Sequence, residues 1–268
     1  MREHCMVKPG QTVRLAEWDP NDTCGLASKA EAGSELEHLN KELARLQELL
    51  YAEDRHRLLI VLQAMDTAGK DGVIKHVMRG VNPQGCLVHN FKVPTAEELA
   101  HDFLWRVHQR VPPRRYITIF NRSHYEDVLV VRVHNLAPES VWRPRYEQIN
   151  QFEKLLVETG TTMLKFYLHI SKEEQKRRLE ERRDTPRKQW KFSLGDVKER
   201  AYWDDYMRTY EEALTQCSTP WAPWYIIPAN KEWYRDLAVA RLIVETLRGF
   251  AMRYPEPEPG SAQAVIPD

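Results

Sequence analysis

Four short apolar runs, each separated from the next by a longer polar segment, constrain the fold of this 268-residue chain more than any other feature. Strands of a parallel sheet that are buried on both faces are nearly continuous hydrophobic runs. The predicted strands are 58–64, 116–121, 163–170 and 224–228. The predicted helices between and after them are 70–79, 95–110, 144–158, 172–183 and 231–253. This alternation predicts an α/β fold with an open, mostly parallel sheet and ligands at the carboxyl ends of its strands.

A further helix is predicted at 34–52, before the first strand. Ser34 and Glu37 fit a capping box, in which a hydroxyl and a carboxylate bind the free N–H groups at a helix start. Five leucines then recur every three or four residues and form one apolar stripe: Leu36, Leu39, Leu43, Leu46 and Leu50. The stripe could pack on the core of the same chain or on another subunit. Residues 1–33 are predicted to be extended or irregular.

Composition excludes several classes of protein. The chain carries 39 basic and 39 acidic residues, which argues against a protein built as a nucleic-acid or membrane-surface binder. Its cysteines, at 5, 24, 86 and 217, show none of the close spacings of zinc knuckles or redox pairs, which favours a reducing, cytoplasmic compartment. The apolar runs are shorter than the roughly 18 residues of a membrane span. We expect one domain over 1–255 and a disordered, proline-rich tail at 256–268.

The loop after the first predicted strand, 64–72, reads AMDTAGKDG and leads into a helical pattern. A strand, a small-residue loop ending in Gly-Lys and a helix together form a phosphate cradle, because backbone N–H groups and the lysine bind an anion. Ala64 and Asp71 depart from the usual G-x-x-x-x-G-K-[ST] pattern, and an ordinary strand-to-helix turn is the alternative. Asp66 and Asp71 would repel phosphates unless a divalent cation lies between them. Asp71 could instead be an acid that interacts with the helix dipole.

Polar residues also follow the second predicted strand, in the segment 121–133. Asp127 is placed to be a metal ligand, and Arg122 could neutralise phosphate as a forked donor. Arg132 lies in an apolar run where a purely solvated arginine is not expected. Each of these residues taken alone could be a helix cap or a surface ion pair. Next to the phosphate loop, they predict a second part of the same site.

The segment 172–191 is rich in charge, with nine Lys or Arg residues against five Asp or Glu. Such a run is usually a solvated helix face. Its position after the third predicted strand also suits a mobile basic element that closes over phosphates. The candidate phosphate-binding side chains in it are Arg182, Arg183, Lys188 and Lys191.

Taken together, the segments 64–72, 121–133 and 182–235 resemble the polyphosphate kinase 2 family. The resemblance is strongest to its class III subgroup, which phosphorylates nucleoside mono- and diphosphates. It implies a P-loop kinase-like, three-layer fold with a helical lid, here at about 182–218. It also implies Mg²⁺, with Mn²⁺ as an alternative, held by Asp66 and Asp127, and phosphates bound by Lys70 and Arg122. Many other classes carry glycine in place of Ala64 and Asp71, so the role of Asp71 is less directly transferred.

The resemblance further implies inorganic polyphosphate and adenine or guanine nucleotides as substrates, and a homo-oligomer, either a dimer or a tetramer. The predicted catalytic residues are Asp66, Lys70, Arg122 and Asp127. The predicted phosphate-binding residues are Ala68, Gly69, Lys70, Asp71, Gly72, Arg132, Arg182, Arg183, Lys188 and Lys191, and the nucleotide-binding residues are Asn121 and Glu126. The attacking phosphate oxygen is already anionic at neutral pH, so a protein base is not required. An ATP-dependent small-molecule kinase is the alternative function.

Overall fold

A computed structural model describes residues 1–26 and 28–267 of the chain. Its sheet is parallel throughout the described residues and has the strand order β2-β3-β1-β4-β5. The strands are β1 Arg57–Ala64, β2 Cys86–Asn90, β3 Ile117–Asn121, β4 Thr161–His169 and β5 Trp224–Pro228. The chain runs from β1 to β2 and β3 on one side and to β4 and β5 on the other. In open α/β sheets, such a switch in strand order creates a crevice at the carboxyl edge.

Helices connect the strands. The α-helices are α1 Arg2–Cys5, α2 Lys29–Glu53, α3 Lys70–Val77, α4 Ala96–Leu99, α5 Trp105–His108, α6 Val130–Val133, α7 Glu139–Trp142, α8 Arg145–Glu158, α9 Lys172–Asp184, α10 Leu194–Glu199, α11 Trp203–Gln216 and α12 Glu232–Gly249. The 3-10 helices are Leu15–Glu17, Pro83–Gly85, His124–Val128, Pro186–Lys191, Arg200–Tyr202 and Ser261–Gln263. None of the helices within the described ranges is long and apolar enough to cross a membrane.

The helices form two layers, one on each face of the sheet. Side chains alternate between the faces of a strand. On β4, Lys165 contacts Glu153 of α8, and Tyr167 stacks on Tyr210 of α11. Phe166, between them, contacts Tyr225 on the other face, the one that α2, α3 and α12 cover. The three-layer, P-loop kinase-like α/β fold expected from the sequence is confirmed.

Two predictions about secondary structure are wrong. The helix expected at 95–110 is two short helices, α4 and α5, because the Asp102 side chain accepts a hydrogen bond from the Leu104 N–H and forms a turn between them. Strand β2 is not among the strands predicted from the sequence. This strand lies at the edge of the sheet and its residues are half-buried or exposed, so it lacks the apolar run that marks the other strands.

The predicted capping box at Ser34 and Glu37 is also wrong, because α2 begins earlier. Its cap is Ser28, whose hydroxyl accepts a hydrogen bond from the Glu31 N–H at 3.2 Å. The leucine stripe does form, and it packs on α12 of the same chain rather than on a second subunit. Its buried members are Leu39, Leu43, Leu46 and Leu50, and Leu36 is partly buried.

The first 26 residues pack on the edge strand β5 and on helix α11, where the Val13 N–H donates to Thr215 at 2.9 Å. The Val7 N–H donates to the Trp224 carbonyl at 2.9 Å, and the Asn230 N–H donates to the Pro20 carbonyl at 3.1 Å. The segment expected to be irregular is therefore tied to the sheet. The single domain over 1–255 and the disordered tail at 256–268 remain predictions.

A fully buried ion pair supports the 3-10 helix His124–Val128. The Lys165 ammonium donates to the Glu153 carboxylate at 2.6 Å, to the Tyr125 hydroxyl at 2.9 Å and to the Cys217 carbonyl at 2.7 Å. The same carboxylate accepts from Tyr125 at 2.8 Å and lies 3.2 Å from a ring nitrogen of His124. His124 and Tyr125, in the loop after β3, are thus anchored on one face of the sheet. Their contacts fix the position of the polar residues that follow them, Glu126 and Asp127.

Candidate active site

A cleft of about 670 Å³ opens at the carboxyl edge of the sheet, between the loop after β1, the end of β3 and the lid. Its volume is within the usual range for sites that bind small molecules. The cleft is lined by Asp66, Thr67, Gly69, Lys70, Asp71, Gly72, Asn90, Phe91, Lys92, Asn121, Arg122, Arg178, Glu181, Arg182, Arg187, Lys188, Trp190, Lys191, Asp196 and Glu232. Ten of the predicted site residues therefore meet in one cleft.

Two buried arginines hold the phosphate loop from behind. Arg178 donates to the carbonyls of Thr67 and Ala68 at 3.0 and 3.2 Å, and Arg235 donates to the Ala68 carbonyl at 3.1 Å. Because these carbonyls are directed to the arginines, they do not face an anion in the cleft. The first-turn N–H groups of α3, which have no partner within the helix, are left to bind one. Ala68 itself is buried outside the lining of the cleft, and its N–H donates to the Met65 carbonyl at 3.2 Å, so the structure does not support its predicted role in binding phosphate.

The glycines of the loop are required by the same packing. Gly69 has a φ of +103°, a conformation that favours glycine, and a methyl group there would collide with the Arg235 guanidinium. A methyl group on Gly72 would lie 2.9 Å from the same guanidinium. The spacing of these glycines therefore follows from a side chain more than 160 residues away in the sequence.

Lys70 is the first residue of α3 and lies across the loop. Its ammonium donates to the Ala64 carbonyl at 2.8 Å. Burial and the charge of Arg122 lower the pKa of Lys70, while Asp66, Glu126 and Asp71 favour its charged form. The lysine is thus placed among the acidic groups of the cleft with a hydrogen bond that a phosphate oxygen could replace.

Arg122 follows β3 and faces the phosphate loop. Its guanidinium binds Asp66 at 2.7 Å, and its backbone has a φ of +62°, held by a hydrogen bond from its N–H to the Leu62 carbonyl at 3.1 Å. Burial disfavours its charge, but Glu126 and Asp66 outweigh burial and raise the pKa of Arg122. A left-handed backbone conformation is strained for arginine, and strain of this kind is found at functional sites.

Asp71 and Asn121 form a second link between the loop and β3. The Asn121 amide donates to the Asp71 carboxylate at 2.8 Å. Asp71 also lies in the first turn of α3, where a negative charge is favoured. Both interpretations of Asp71 from the sequence are thus compatible with its position.

Three carboxylates surround Lys70 and Arg122: Asp66, Glu126 and Asp196. Burial raises the pKa of Glu126, with a further contribution from Asp66. Burial and Asp66 likewise raise the pKa of Asp196, which comes from α10 in the lid. Asp66 and Asp196 line the cleft whereas Glu126 does not, and the oxygen atoms of these three carboxylates do not all lie within 4.8 Å of one another. Asp196 was not singled out in the sequence, because its proximity to Asp66 depends on how the lid folds back over the sheet.

Asp127, the second predicted metal ligand, has different neighbours. Its carboxylate binds Arg145 of α8 at 3.2 Å, and the same arginine donates to its carbonyl at 3.0 Å. Burial raises the pKa of Asp127 to about 6, although Arg145 and Arg106 favour its charged form. The residue lies next to Glu126, outside the lining of the cleft.

The predicted basic residues of the lid divide into two groups. Arg182, Lys188 and Lys191 line the cleft, and Arg182 lies 3.4 Å from the Asp196 carboxylate. Arg183 turns away and pairs with its neighbour Asp184 at 2.7 Å. Arg132, predicted to bind phosphate, instead pairs with Glu212 and lies over the Trp142 ring.

Several cleft residues were missed in the sequence for identifiable reasons. Lys92 follows the unrecognised strand β2, so its place at the carboxyl edge was not apparent. Arg178 and Arg187 lie within the basic run 172–191, where composition does not show which side chains turn inward. Trp190 is 78% exposed, and its position in the cleft depends on the fold of the lid.

Comparison with known proteins gives a consistent result. The family model described as Polyphosphate kinase 2 (PPK2) matches residues 26–254. The AMP/ADP-polyphosphate phosphotransferase of Meiothermus ruber is 55% identical over 97% of this chain and 98% of its own length. The ADP-polyphosphate phosphotransferase of Rhodopseudomonas palustris is 44% identical over 97% of this chain and 94% of its own.

A solved structure agrees with the sequence matches. The crystal structure of polyphosphate kinase 2 from Arthrobacter aurescens superposes with a TM-score of 0.94 at 46% identity, covering 97% of this chain and 93% of that one. The family match spans the strands, the phosphate loop and the lid together. The chain belongs to the polyphosphate kinase 2 family.

Proposed function

We propose that this protein is a polyphosphate-dependent nucleotide kinase that phosphorylates AMP to ADP and ADP to ATP. The observation that carries the proposal is the cleft itself, where the Gly69-Lys70 loop, Arg122 and the basic lid residues lie together with Asp66 and Asp196. The names of the relatives from Meiothermus ruber and Rhodopseudomonas palustris both support polyphosphate and ADP as substrates, and the first also supports AMP.

The chain's own residues suit phosphoryl transfer. The attacking group is a phosphate oxygen that is already anionic, so positioning and neutralisation of charge supply the catalysis. Lys70 and Arg122 would bind the transferred phosphoryl group, because both cations lie at the end of the phosphate loop. Arg182, Lys188 and Lys191 would hold the remainder of the polyanion.

The acidic residues of the cleft fit a divalent cation, for which we propose Mg²⁺ with Mn²⁺ as an alternative. Carboxylate oxygens are the ligands that hard cations prefer. Asp66 and Asp196 line the cleft, and Asp127 is the ligand suggested by the sequence, so one cation would have to draw these carboxylates closer together. When bound, the cation would neutralise charge on the donor and acceptor phosphates.

A nucleotide assay tests the function directly. Purified protein freed of adenylate kinase is mixed with Mg²⁺, long-chain polyphosphate and AMP, and the nucleotides are followed by chromatography. We expect ADP to appear first and ATP second, without added ATP. Consumption of ADP but not AMP would limit the protein to the second step. No consumption of either, with ATP accepted as a donor to another small molecule, would favour the alternative kinase.

The metal ligands are tested by removing one charge at a time. Asp66→Asn should raise the Mg²⁺ concentration needed for half-maximal turnover on the order of 10- to 100-fold, because asparagine keeps the shape but loses the charge. Asp127→Asn should produce a smaller rise, since Arg145 already neutralises that carboxylate. The control is Asp204→Asn, an exposed acid of α11. If Asp66→Asn shows the Mg²⁺ dependence of the wild type, Asp66 is not a ligand of the metal.

Two adjacent arginines of the lid form a matched pair for testing polyphosphate binding. Arg182→Glu should raise the apparent KM for polyphosphate about tenfold, the cost of one charged hydrogen bond, and weaken the salt dependence of binding. Arg183→Glu should have a much smaller effect, because Arg183 points away from the cleft. Equal effects of the two reversals would show that general charge, rather than position, governs binding.

A homo-oligomer and a cytoplasmic location complete the proposal, together with guanine nucleotides as further acceptors. The family resemblance favours the oligomer, and the cytoplasm holds the cell's supply of AMP and ADP. Light scattering on the purified protein measures the number of subunits, and the chromatographic assay with GMP and GDP tests the base preference.

A further inference from the structure

We propose that His4, Asp22 and Cys24 form a binding site for one zinc-class divalent cation, separate from the cleft. A ring nitrogen, a carboxylate oxygen and a thiol from these residues all lie within 4.8 Å of one another. Within residues 1–26 and 28–267, this is the single group of three or more His, Cys, Asp and Glu side chains that meets this condition. The proposal is independent of the proposed function.

The group is assembled by the fold and not by sequence spacing. His4 lies in α1, and Asp22 and Cys24 lie in the turn after Pro20, whose carbonyl is bonded by Asn230. The His4 ring nitrogen Nε2 is 2.6 Å from Asp22 Oδ2, while Asp22 Oδ1 accepts from the Cys24 N–H at 2.8 Å. The wide spacing of the cysteines, which argued against a metal site in the sequence, therefore does not exclude this one.

The chemistry of the three donors selects the class of cation. Zinc binds sulfur, nitrogen and oxygen, whereas magnesium prefers oxygen ligands in octahedral geometry. Zinc bonds of about 2.0 Å to nitrogen and oxygen in a tetrahedral arrangement require these atoms to be about 3.3 Å apart. The His4–Asp22 distance of 2.6 Å would need to widen by less than 1 Å, a shift that a half-exposed histidine can make by rotating.

Neighbouring side chains support the thiol as a ligand. The Tyr234 hydroxyl of α12 donates to Cys24 Sγ at 3.0 Å, and a hydrogen bond of this kind stabilises a metal-bound thiolate. Cys5 is buried next to Cys24 and closes the inner side of the site. The His4 side chain is 58% exposed, so the fourth position faces solvent and is open to water.

A bound cation would link α1, the turn at 22–24 and, through Tyr234, helix α12. The site lies away from the residues that line the cleft, so its occupancy should change stability rather than turnover. Ligands that bind the folded state but not the unfolded one raise the free energy of unfolding. We therefore expect zinc to raise the melting temperature of the protein.

The test uses the full-length, reduced and chelator-treated protein in excess Mg²⁺, which occupies the oxygen ligands of the cleft. Co²⁺ is titrated first, because a thiolate ligand gives an intense charge-transfer band in the near ultraviolet, and Zn²⁺ then displaces it. The variants are Cys24→Ser and His4→Gln, and the control is Cys86→Ser, a partly buried thiol elsewhere in the chain. Because the His4 side chain is exposed, we expect the His4→Gln variant to fold as the wild type does.

We expect one equivalent of Co²⁺ with a thiolate band, displaced by Zn²⁺, in the wild type and in Cys86→Ser. Affinity should fall at least about tenfold in His4→Gln, and the band should vanish in Cys24→Ser. Both variants should lose the rise in melting temperature while retaining Mg²⁺-dependent turnover. A band that persists in Cys24→Ser, binding unaffected by His4→Gln, or a Cys5–Cys24 disulfide in the unreduced protein would each overturn the proposal.

Discussion

Lys70→Ala is expected to lower turnover about 100- to 1000-fold or more while leaving the protein folded. The loss of one preorganised contact to a developing charge typically has an effect of this size. Lys70 also lies among Asp66, Glu126 and Asp71, so its removal leaves three negative groups facing phosphates without their nearest ammonium. The fold should survive, because the lost hydrogen bond to the Ala64 carbonyl lies in a loop that Arg178 and Arg235 also hold.

The matched control is Lys75→Ala, an exposed lysine on the same helix α3. It removes the same charge from the same helix without touching the cleft. The turnover numbers of both variants and their melting temperatures separate a catalytic defect from a folding defect. A Lys70→Ala protein that keeps more than about a tenth of wild-type turnover would remove Lys70 from the mechanism.

The parts of the site that could be predicted from the sequence are those specified locally. The Gly69-Lys70 pair follows a strongly apolar strand, and Arg122 follows another, so their meeting at the carboxyl edge could be predicted from adjacent strands of a parallel sheet. The structure confirms that the two loops meet, because the Arg122 side chain binds Asp66 and the Asn121 side chain binds Asp71.

The parts that could not be predicted depend on contacts between distant segments. Arg178 and Arg235 shape the phosphate loop from behind, yet in the sequence they resemble any charged residue of an amphipathic helix. Asp196 reaches the cleft through the fold of the lid, and His4 meets Asp22 through the docking of the first residues on β5. Periodicity identifies the helices and strands, but it carries no information about which polar side chain a turn directs inward.

Ser28 and Ser34 illustrate a further limit of local patterns. Both serines precede a glutamate by three residues, so both satisfy the capping-box pattern. Helix α2 begins after the first of them, which adds a turn and places Ala32 in the core. A pattern that occurs twice cannot by itself locate the start of a helix. The helix continues through the second copy although Gly33 precedes it, because a glycine inside a helix costs only about 1 kcal/mol.

Lys165→Met is expected to lower the free energy of unfolding by about 3–5 kcal/mol, the usual effect of removing one partner of a buried ion pair. The methionine leaves the Glu153 carboxylate buried without its cation, while Tyr125 and the Cys217 carbonyl lose a donor. Urea denaturation followed by circular dichroism measures the difference. The control, Lys154→Met, replaces an exposed lysine of α8 and should cost less than about 1 kcal/mol.

The pH dependence of this variant distinguishes a lost ion pair from a simple packing defect. In the wild type, burial opposes ionisation of Glu153, but Lys165 and His124 outweigh it and lower its pKa. This carboxylate therefore stabilises the fold above its unfolded pKa, and the contribution is lost as the pH falls through the folded pKa. Without Lys165, burial should raise the pKa instead, so the folded state binds more protons than the unfolded state.

The variant should consequently gain stability relative to the wild type as the pH is lowered from 7. The double variant Lys165→Met/Glu153→Met, which removes both charges, should recover most of the lost stability and show no such pH dependence. A penalty for Lys165→Met that is independent of pH and persists in the double variant would show that the pair acts by packing alone. In that case the contacts of Glu153 with His124 and Tyr125 would not depend on charge. The same would apply to the position of the segment that carries Glu126 and Asp127.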